Sequence, residues 1–138
     1  MKKVDGYIQS NGINTYYKII GKGEPIIVVH GGPGMVHNYL VQKFKRLANN
    51  FKVIFYDQRA CGKTNGEESP EKITMNNLVK DLEELRISLG IGKMNLIGQS
   101  FGGLIALNYA IKYSNNIKSL FILFFQIFYD SISNFPNI

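Results

Sequence analysis

Asn95-Leu96-Ile97-Gly98-Gln99-Ser100-Phe101-Gly102-Gly103 holds a short apolar run, a serine set between glycines, and the start of a small-residue helical segment. G-x-S-x-G in this setting predicts a strand, a sharp turn and a helix. Such a turn forces the residue between strand and helix into a strained backbone conformation, with the serine oxygen exposed at its tip. Glycine is needed at 98 and 102 because a Cβ there would strike the neighbouring strand or helix. A strand is therefore expected over Met94–Gln99 and a helix over Phe101–Tyr113.

Upstream, β-prone runs come first. Tyr7-Ile8-Gln9 and Ile13–Ile20 flank Ser10-Asn11-Gly12, and Asn-Gly between such runs signals a hairpin. Gly21–Pro25 reads as a loop. Ile26-Ile27-Val28-Val29 is a continuous β-branched run, as in a strand buried on both faces. From Asn38 to Leu47 the apolar Leu40, Val41, Phe44 and Leu47 recur at helical spacing. Phe51–Tyr56 is another strand, and the polar, glycine-bearing Asp57–Pro70 a loop. Thr74 is placed to cap a helix carrying Leu78, Leu82, Leu85 and Leu89 on one stripe, a core stripe too short for a zipper, with Gly90 as its stop. Ile117–Leu123 is the last strand. Strands alternating with helices after a hairpin predict an α/β fold, its sheet largely parallel with helices on both faces.

The 138 residues suffice for one small domain with one core. The hydrophobic fraction, 45%, is that of an ordinary globular protein. Lysine plus arginine number 16 against 10 acidic residues, a formal charge of +6. The lysines are scattered and arginine occurs only at Arg46, Arg59 and Arg86, so the charge reads as a solvated surface and not a nucleic-acid face. Cys61 stands alone, which excludes an internal disulfide and a cysteine-rich metal site. Met1–Gly6 has no apolar stretch behind its lysines, and no apolar run reaches the ~20 residues that span a bilayer. No secretory signal, no membrane association and a cytoplasmic location are the expectations.

In open α/β sheets, reactive groups gather beyond the carboxyl ends of the strands. Two glycine-rich turns fall there, Gly31–Gly34 and Gly98–Gly103. Acyl transfer needs a nucleophile and an oxyanion hole. Ser100 can supply the first, and the N–H of Phe101 one oxyanion donor. Gly32, in the loop after the third strand, is the choice for the second.

Taken together, His30-Gly31-Gly32-Pro33-Gly34, Asp57-Gln58-Arg59-Ala60-Cys61-Gly62-Lys63-Thr64 and Gly98-Gln99-Ser100-Phe101-Gly102-Gly103 resemble the proline iminopeptidase (prolyl aminopeptidase) branch of the α/β-hydrolases. The resemblance runs from about Val4 to about Leu123 and matches the N-terminal half of that family's fold. It implies an α/β-hydrolase-type sheet that stops after about the sixth strand. It also implies a serine hydrolase that releases N-terminal residues, often proline, from peptides through an acyl-enzyme, without a cofactor. By position, Ser100 is the implied nucleophile, and Gly32 with Phe101 the implied oxyanion hole. His30, Gly31, Pro33 and Gly34 shape the loop that floors it, and Asp57, Gln58 and Arg59 brace the loops nearby. The family usually has glycine where this chain has Ala60, and often tryptophan where it has Phe101.

Triad order in this fold is serine, acid, histidine. Both histidines, His30 and His37, precede Ser100. The family's acid, base and substrate-binding cap lie beyond the junction at which this sequence ends, so the chain alone is expected to be inactive and truncated. His37 is expected on the wrong side of the serine to act as base, Asp130 as a solvated tail carboxylate, and Cys61 as an inert thiol. Gly62-Lys63-Thr64 lacks the first glycine of a phosphate loop, since that position is Asp57. Rival readings are an esterase of the same fold and a non-catalytic remnant; an epoxide hydrolase would need aspartate where Ser100 stands. Residues 1–125 are expected to form the N-terminal part of a hydrolase domain and 126–138 an atypical apolar tail, from a truncated, frame-shifted or split gene. An exposed apolar last strand is expected to self-associate.

Overall fold

The computed structural model describes residues 2–67 and 69–124. Strand β1 (Lys3–Ser10) turns through Asn11 and Gly12, at φ 50° and 78°, into β2 (Ile13–Ile20). A two-residue hairpin of this hand demands positive φ at both positions, which Asn-Gly adopts with little strain. There follow β3 (Glu24–Val29), α1 (Asn38–Phe44), β4 (Phe51–Tyr56), a two-residue β5 (Asn65–Gly66), α2 (Met75–Ser88), β6 (Met94–Gln99), α3 (Phe101–Lys112) and β7 (Ile117–Leu123). Their order in the sheet is β1-β2-β4-β3-β6-β7, with β5 paired to β2. The ladders joining β4, β3, β6 and β7 are parallel, and every antiparallel pairing involves β2. The chain runs outward from β3 to β4, then returns past β3 to β6. Ligands in open α/β sheets bind outside such a reversal.

The core has two layers, one on each face of the sheet. On one face Ile27, Val29 and Leu96 pack with Leu82 and Leu85 of α2 and Ile105 and Tyr109 of α3. On the other, Val28, Phe55 and Ile97 meet Leu40 of α1. The β-branched run Ile26–Val29 divides its alternating side chains between these layers, which is why it shows no polar face. Thr74 caps α2 by accepting from the N–H of Asn77 at 3.2 Å, and Gly90 follows the helix at φ 66°. Among the described residues no helix is long and apolar enough to cross a membrane.

Four boundaries depart from the sequence expectation. Glu24 and Pro25, read as loop, already pair with Phe51 and Lys52; proline is tolerated as the second residue of the strand, ahead of Ile26, where pairing with β6 begins. The helix expected over residues 38–47 tightens after Phe44 into a 3₁₀ segment, Lys45–Asn49. The loop Asp57–Pro70 is not wholly irregular, since Asn65 and Gly66 pair with Asn14 and Ile13. Helix α3 ends one residue early, at Lys112. The expected tail 126–138, with Asp130, lies outside the described residues.

Candidate active site

Val29 of β3 and Gly98 of β6 are register partners, so the two chains leave the sheet side by side. The corner after β6 is as tight as its glycines predict. A Cβ on Gly102 would lie 2.3 Å from the carbonyl oxygen of Val29 and 2.4 Å from that of His30. A Cβ on Gly98 would lie 2.6 Å from the oxygen of Gly102. The first turn of α3 is thus pressed against the end of β3, which a side chain at either position would prevent.

Between strand and helix, Ser100 has φ 54° and ψ −120°, a conformation that costs a residue with a Cβ roughly 1–3 kcal/mol. Its neighbours hold it there. The Ser100 N–H donates to the Leu123 carbonyl at 2.8 Å, and the Ser100 carbonyl accepts from Gly103 N–H at 2.8 Å. Ser100 is half-buried at the N-terminus of α3, beside the orphan N–H groups and positive dipole end of that helix. The N–H of Phe101 is the first of these groups.

The glycine loop lies against this corner. Gly31 N–H donates to the Tyr39 hydroxyl at 2.7 Å, and that hydroxyl donates to the side-chain oxygen of Gln99. A Cβ on Gly31 would meet the same oxygen at 2.7 Å. One tyrosine therefore joins the two turns. With the Gly31 amide occupied, Gly32 at φ 138° is the next donor along the loop, and its Cβ position is crowded by Gly34 N at 3.0 Å. Tyr39 and Gln99 escape sequence reading. Tyr39 looks like any aromatic on an amphipathic helix, and Gln99 occupies a variable position of the serine motif.

His30 is a bracket. Its Nε2 accepts from Gln58 N–H at 3.1 Å, so Nδ1 carries the proton and donates to the Gly31 carbonyl at 2.6 Å. Burial pushes its pKa down, which keeps the ring neutral. The Gln58 side chain also donates to the His30 carbonyl at 2.6 Å. His37 is tied elsewhere: its Nδ1–H and its backbone N–H donate to Asp57 Oδ1 at 2.8 and 3.0 Å. Lys63 N–H donates to the other Asp57 oxygen at 3.0 Å. Burial pushes the Asp57 carboxyl up, but the hydrogen bonds from His37 and Lys63 outweigh it and hold it below its ordinary value. Among the described residues neither histidine is hydrogen-bonded to Ser100.

Arg59 reaches the opposite way. Its Nε and Nη2 form a two-point pair with the Asp81 carboxylate of α2, both at 2.9 Å, and Nη2 also donates to the Asn11 carbonyl at 2.8 Å. Asp57, Gln58 and Arg59 therefore pin the glycine loop, the hairpin turn and α2 to one another. Ala60 sits at φ 59°, where a glycine would be unstrained. Cys61 is buried and burial pushes its thiol pKa up, so it is a poor nucleophile.

Residues 24–123 match the family described as alpha/beta hydrolase fold. The chain is 40% identical over 124 residues to a proline iminopeptidase of Clostridioides difficile (strain 630), covering 86% of this chain and 42% of that relative. It superposes on the proline iminopeptidase-related protein of Thermus thermophilus with TM-score 0.82 and 26% identity, over 88% of this chain and 44% of the other. An esterase of Exiguobacterium antarcticum matches with TM-score 0.77 and 27% identity, over 86% of this chain and 44% of the esterase. The chain thus spans somewhat under half the length of these proteins. Its strand order, its positive-φ serine at the β6–α3 corner and the match over residues 24–123 place it together: the chain belongs to the α/β-hydrolase fold family.

Proposed function

We propose that this chain is the nucleophile-bearing part of a serine hydrolase of the prolyl aminopeptidase type. The observation that carries this reading is Ser100, held at φ 54° on a corner latched to the Gly31–Gly34 loop through Tyr39. In the proposed reaction Ser100 Oγ attacks the carbonyl carbon of a peptide's N-terminal residue. The N–H groups of Phe101 and Gly32 take the developing oxyanion, a contribution of about 3 kcal/mol per donor in such sites. The C–N bond breaks, the shortened peptide leaves with the proton, and water hydrolyses the acyl-enzyme. No step requires a cofactor.

A base must take the serine proton. His30 has both ring nitrogens engaged, and His37 gives its Nδ1–H to Asp57 and leaves Nε2 buried without a hydrogen-bond partner among the described residues; neither ring is hydrogen-bonded to Ser100, so in this reading neither fills that role. In this reading the base, its acid partner and the substrate-amine site come from the part of the fold that the longer relatives carry past the matched segment. The isolated 138-residue chain is then silent toward proline arylamides. A cytoplasmic setting follows from the same reading.

A fluorophosphonate probe tests this on the isolated chain and on the chain combined with the remaining polypeptide of the Clostridioides relative. Labelling is expected only in the combination, and lost in Ser100→Ala. Strong labelling of the isolated chain would overturn the missing base; a folded combination that stays unlabelled would overturn the nucleophile. Likeness to the esterase supports a second reading. Faster turnover of short acyl esters than of proline and alanine arylamides by the combination would favour it.

A further inference from the structure

Two peptide units meet at Gly31, and three of their four polar groups are engaged. In the first, between His30 and Gly31, the carbonyl accepts from the Gln58 side chain at 2.6 Å and the N–H donates to the Tyr39 hydroxyl at 2.7 Å. In the second, between Gly31 and Gly32, the carbonyl accepts from His30 Nδ1–H at 2.6 Å. Only the Gly32 N–H has no acceptor among the described residues. Gly31 has no side chain to restrain rotation about its Cα, so these bonds do it instead. A trans peptide unit is planar and points its C=O and N–H in opposite directions. The Gly31–Gly32 unit is trans. By drawing its carbonyl in, His30 therefore aims the Gly32 N–H away from its own buried ring.

Direction alone does not make an oxyanion hole. Two N–H groups from different turns, those of Gly32 and Phe101, must converge within about 2.7–3.1 Å of one oxygen. Phe101 lies two residues past Gln99 on the β6–α3 corner, and the Tyr39 hydroxyl donates to the Gln99 side-chain oxygen. The same hydroxyl thus accepts from one turn and donates to the other. Tyr39 is itself held at its base. It sits in the first turn of α1, just after His37. His37 gives its N–H and its Nδ1–H to Asp57 Oδ1, and its carbonyl takes the Leu40 N–H at 2.9 Å. A phenol anchored in this way has a fixed reach, and so it sets the spacing of the two turns.

Given the serine hydrolase reading, on which this rests, we propose that Tyr39 is a positioning residue for the acyl transfer. With His30 it aims the Gly32 N–H, and through Gln99 it holds that donor at working distance from the Phe101 N–H. Tyr39→Phe keeps the ring and removes both bonds. The full oxyanion exists only beyond the ground state, so the loss falls on kcat and spares KM. A displacement of about 1 Å can cost on the order of a hundredfold in rate.

The test uses the chain combined with the remaining polypeptide of the Clostridioides relative, with a proline arylamide as substrate. Fluorophosphonate titration to completion counts the working sites, so unfolded protein is not read as slow enzyme. Tyr39→Phe should lower kcat per titrated site at least about tenfold, with KM held within about twofold. Gln99→Leu keeps the Gly31 bond and removes the other, and should lower kcat per site at least about threefold. It decides the matter if Tyr39→Phe does not fold. Amide exchange on the same material gives a readout without substrate. The Gly31 N–H should be protected, and should exchange at least about tenfold faster in Tyr39→Phe. A kcat per site that survives both substitutions, a rise in KM alone, or an unprotected Gly31 amide would each overturn this inference and leave the hydrolase reading standing. A folded wild-type combination that stays unlabelled overturns that reading, and this inference with it.

Discussion

On the β4 side of the serine corner, His30, His37, Asp57, Gln58, Arg59, Thr64 and Asp81 are all buried, and each is tied to a partner in another segment, Thr64 by accepting from the Tyr16 N–H. On the β7 side, the flanking side chains are Phe121, Leu104, Leu107 and Ile111, all exposed and apolar. One flank is closed by directional polar contacts that the chain makes with itself. The other is a non-directional apolar surface among the described residues. The positions of the glycine loop and the serine corner therefore follow from contacts that the chain makes internally, and the second flank adds no directional constraint to them.

The contrast can be broken most forcefully at Asp81. Asp81→Ala strands the Arg59 guanidinium without its carboxylate at 1% side-chain exposure. A loss of about 3–5 kcal/mol is expected in urea denaturation. A loss below about 1 kcal/mol would mean that the polar flank does not hold the fold. Next is Gly102→Ala, which sets a methyl against two backbone carbonyls that cannot swing aside. Overpacking of this kind costs about 1–3 kcal/mol, read from the same melts. It should also part the two corners and abolish any probe labelling of the combined enzyme.

The polar flank should show itself in pH dependence as well. Burial holds the His30 pKa down, while hydrogen bonds from His37 and Lys63 offset burial and hold Asp57 down. For Asp57, the depressed carboxyl stabilises the fold above its unfolded pKa, and that contribution is lost as pH falls through the folded one. For His30, a depressed imidazole means that the unfolded chain takes up its proton first, so acid again favours unfolding. Stability should be level between about pH 7 and about 8, decline above the ordinary cysteine value near about 8.5, where the unfolded chain releases the Cys61 proton that burial retains, and decline below the ordinary histidine value near about 6.5. It should decline again below the ordinary carboxylate value near about 4. Chemical melts at stepped pH would show this; a curve flat down to about pH 4 would contradict the neutral, buried His30. The smallest effect expected is a gain. Ala60→Gly removes a left-handed strain of roughly 1 kcal/mol and should raise the melting temperature by a few degrees.

Much of this fold is legible residue by residue. Asn11-Gly12 announces the hairpin, the run Ile26–Val29 announces a strand buried on both faces, and Gly98 with Gly102 announces the corner, because each signal depends on its own backbone. The illegible parts are contacts across long sequence separations. Tyr39 reaching Gln99, and Glu83 of α2 accepting from Tyr109 of α3 and from Asn116 beyond it, leave no local pattern. The ladder between β5 and β2 stays hidden for the same reason: two residues are too few to show a period. Of the site, the serine turn and glycine loop can be named from sequence, and their latch cannot.

The amide of Ser100 hangs on the carbonyl of Leu123, the final residue of β7. Peeling β7 from β6 would unhook the serine's own backbone, and holding it in place stiffens it. Whatever steadies this strand thereby steadies the hydroxyl at position 100, as a peg sets the pitch of a string.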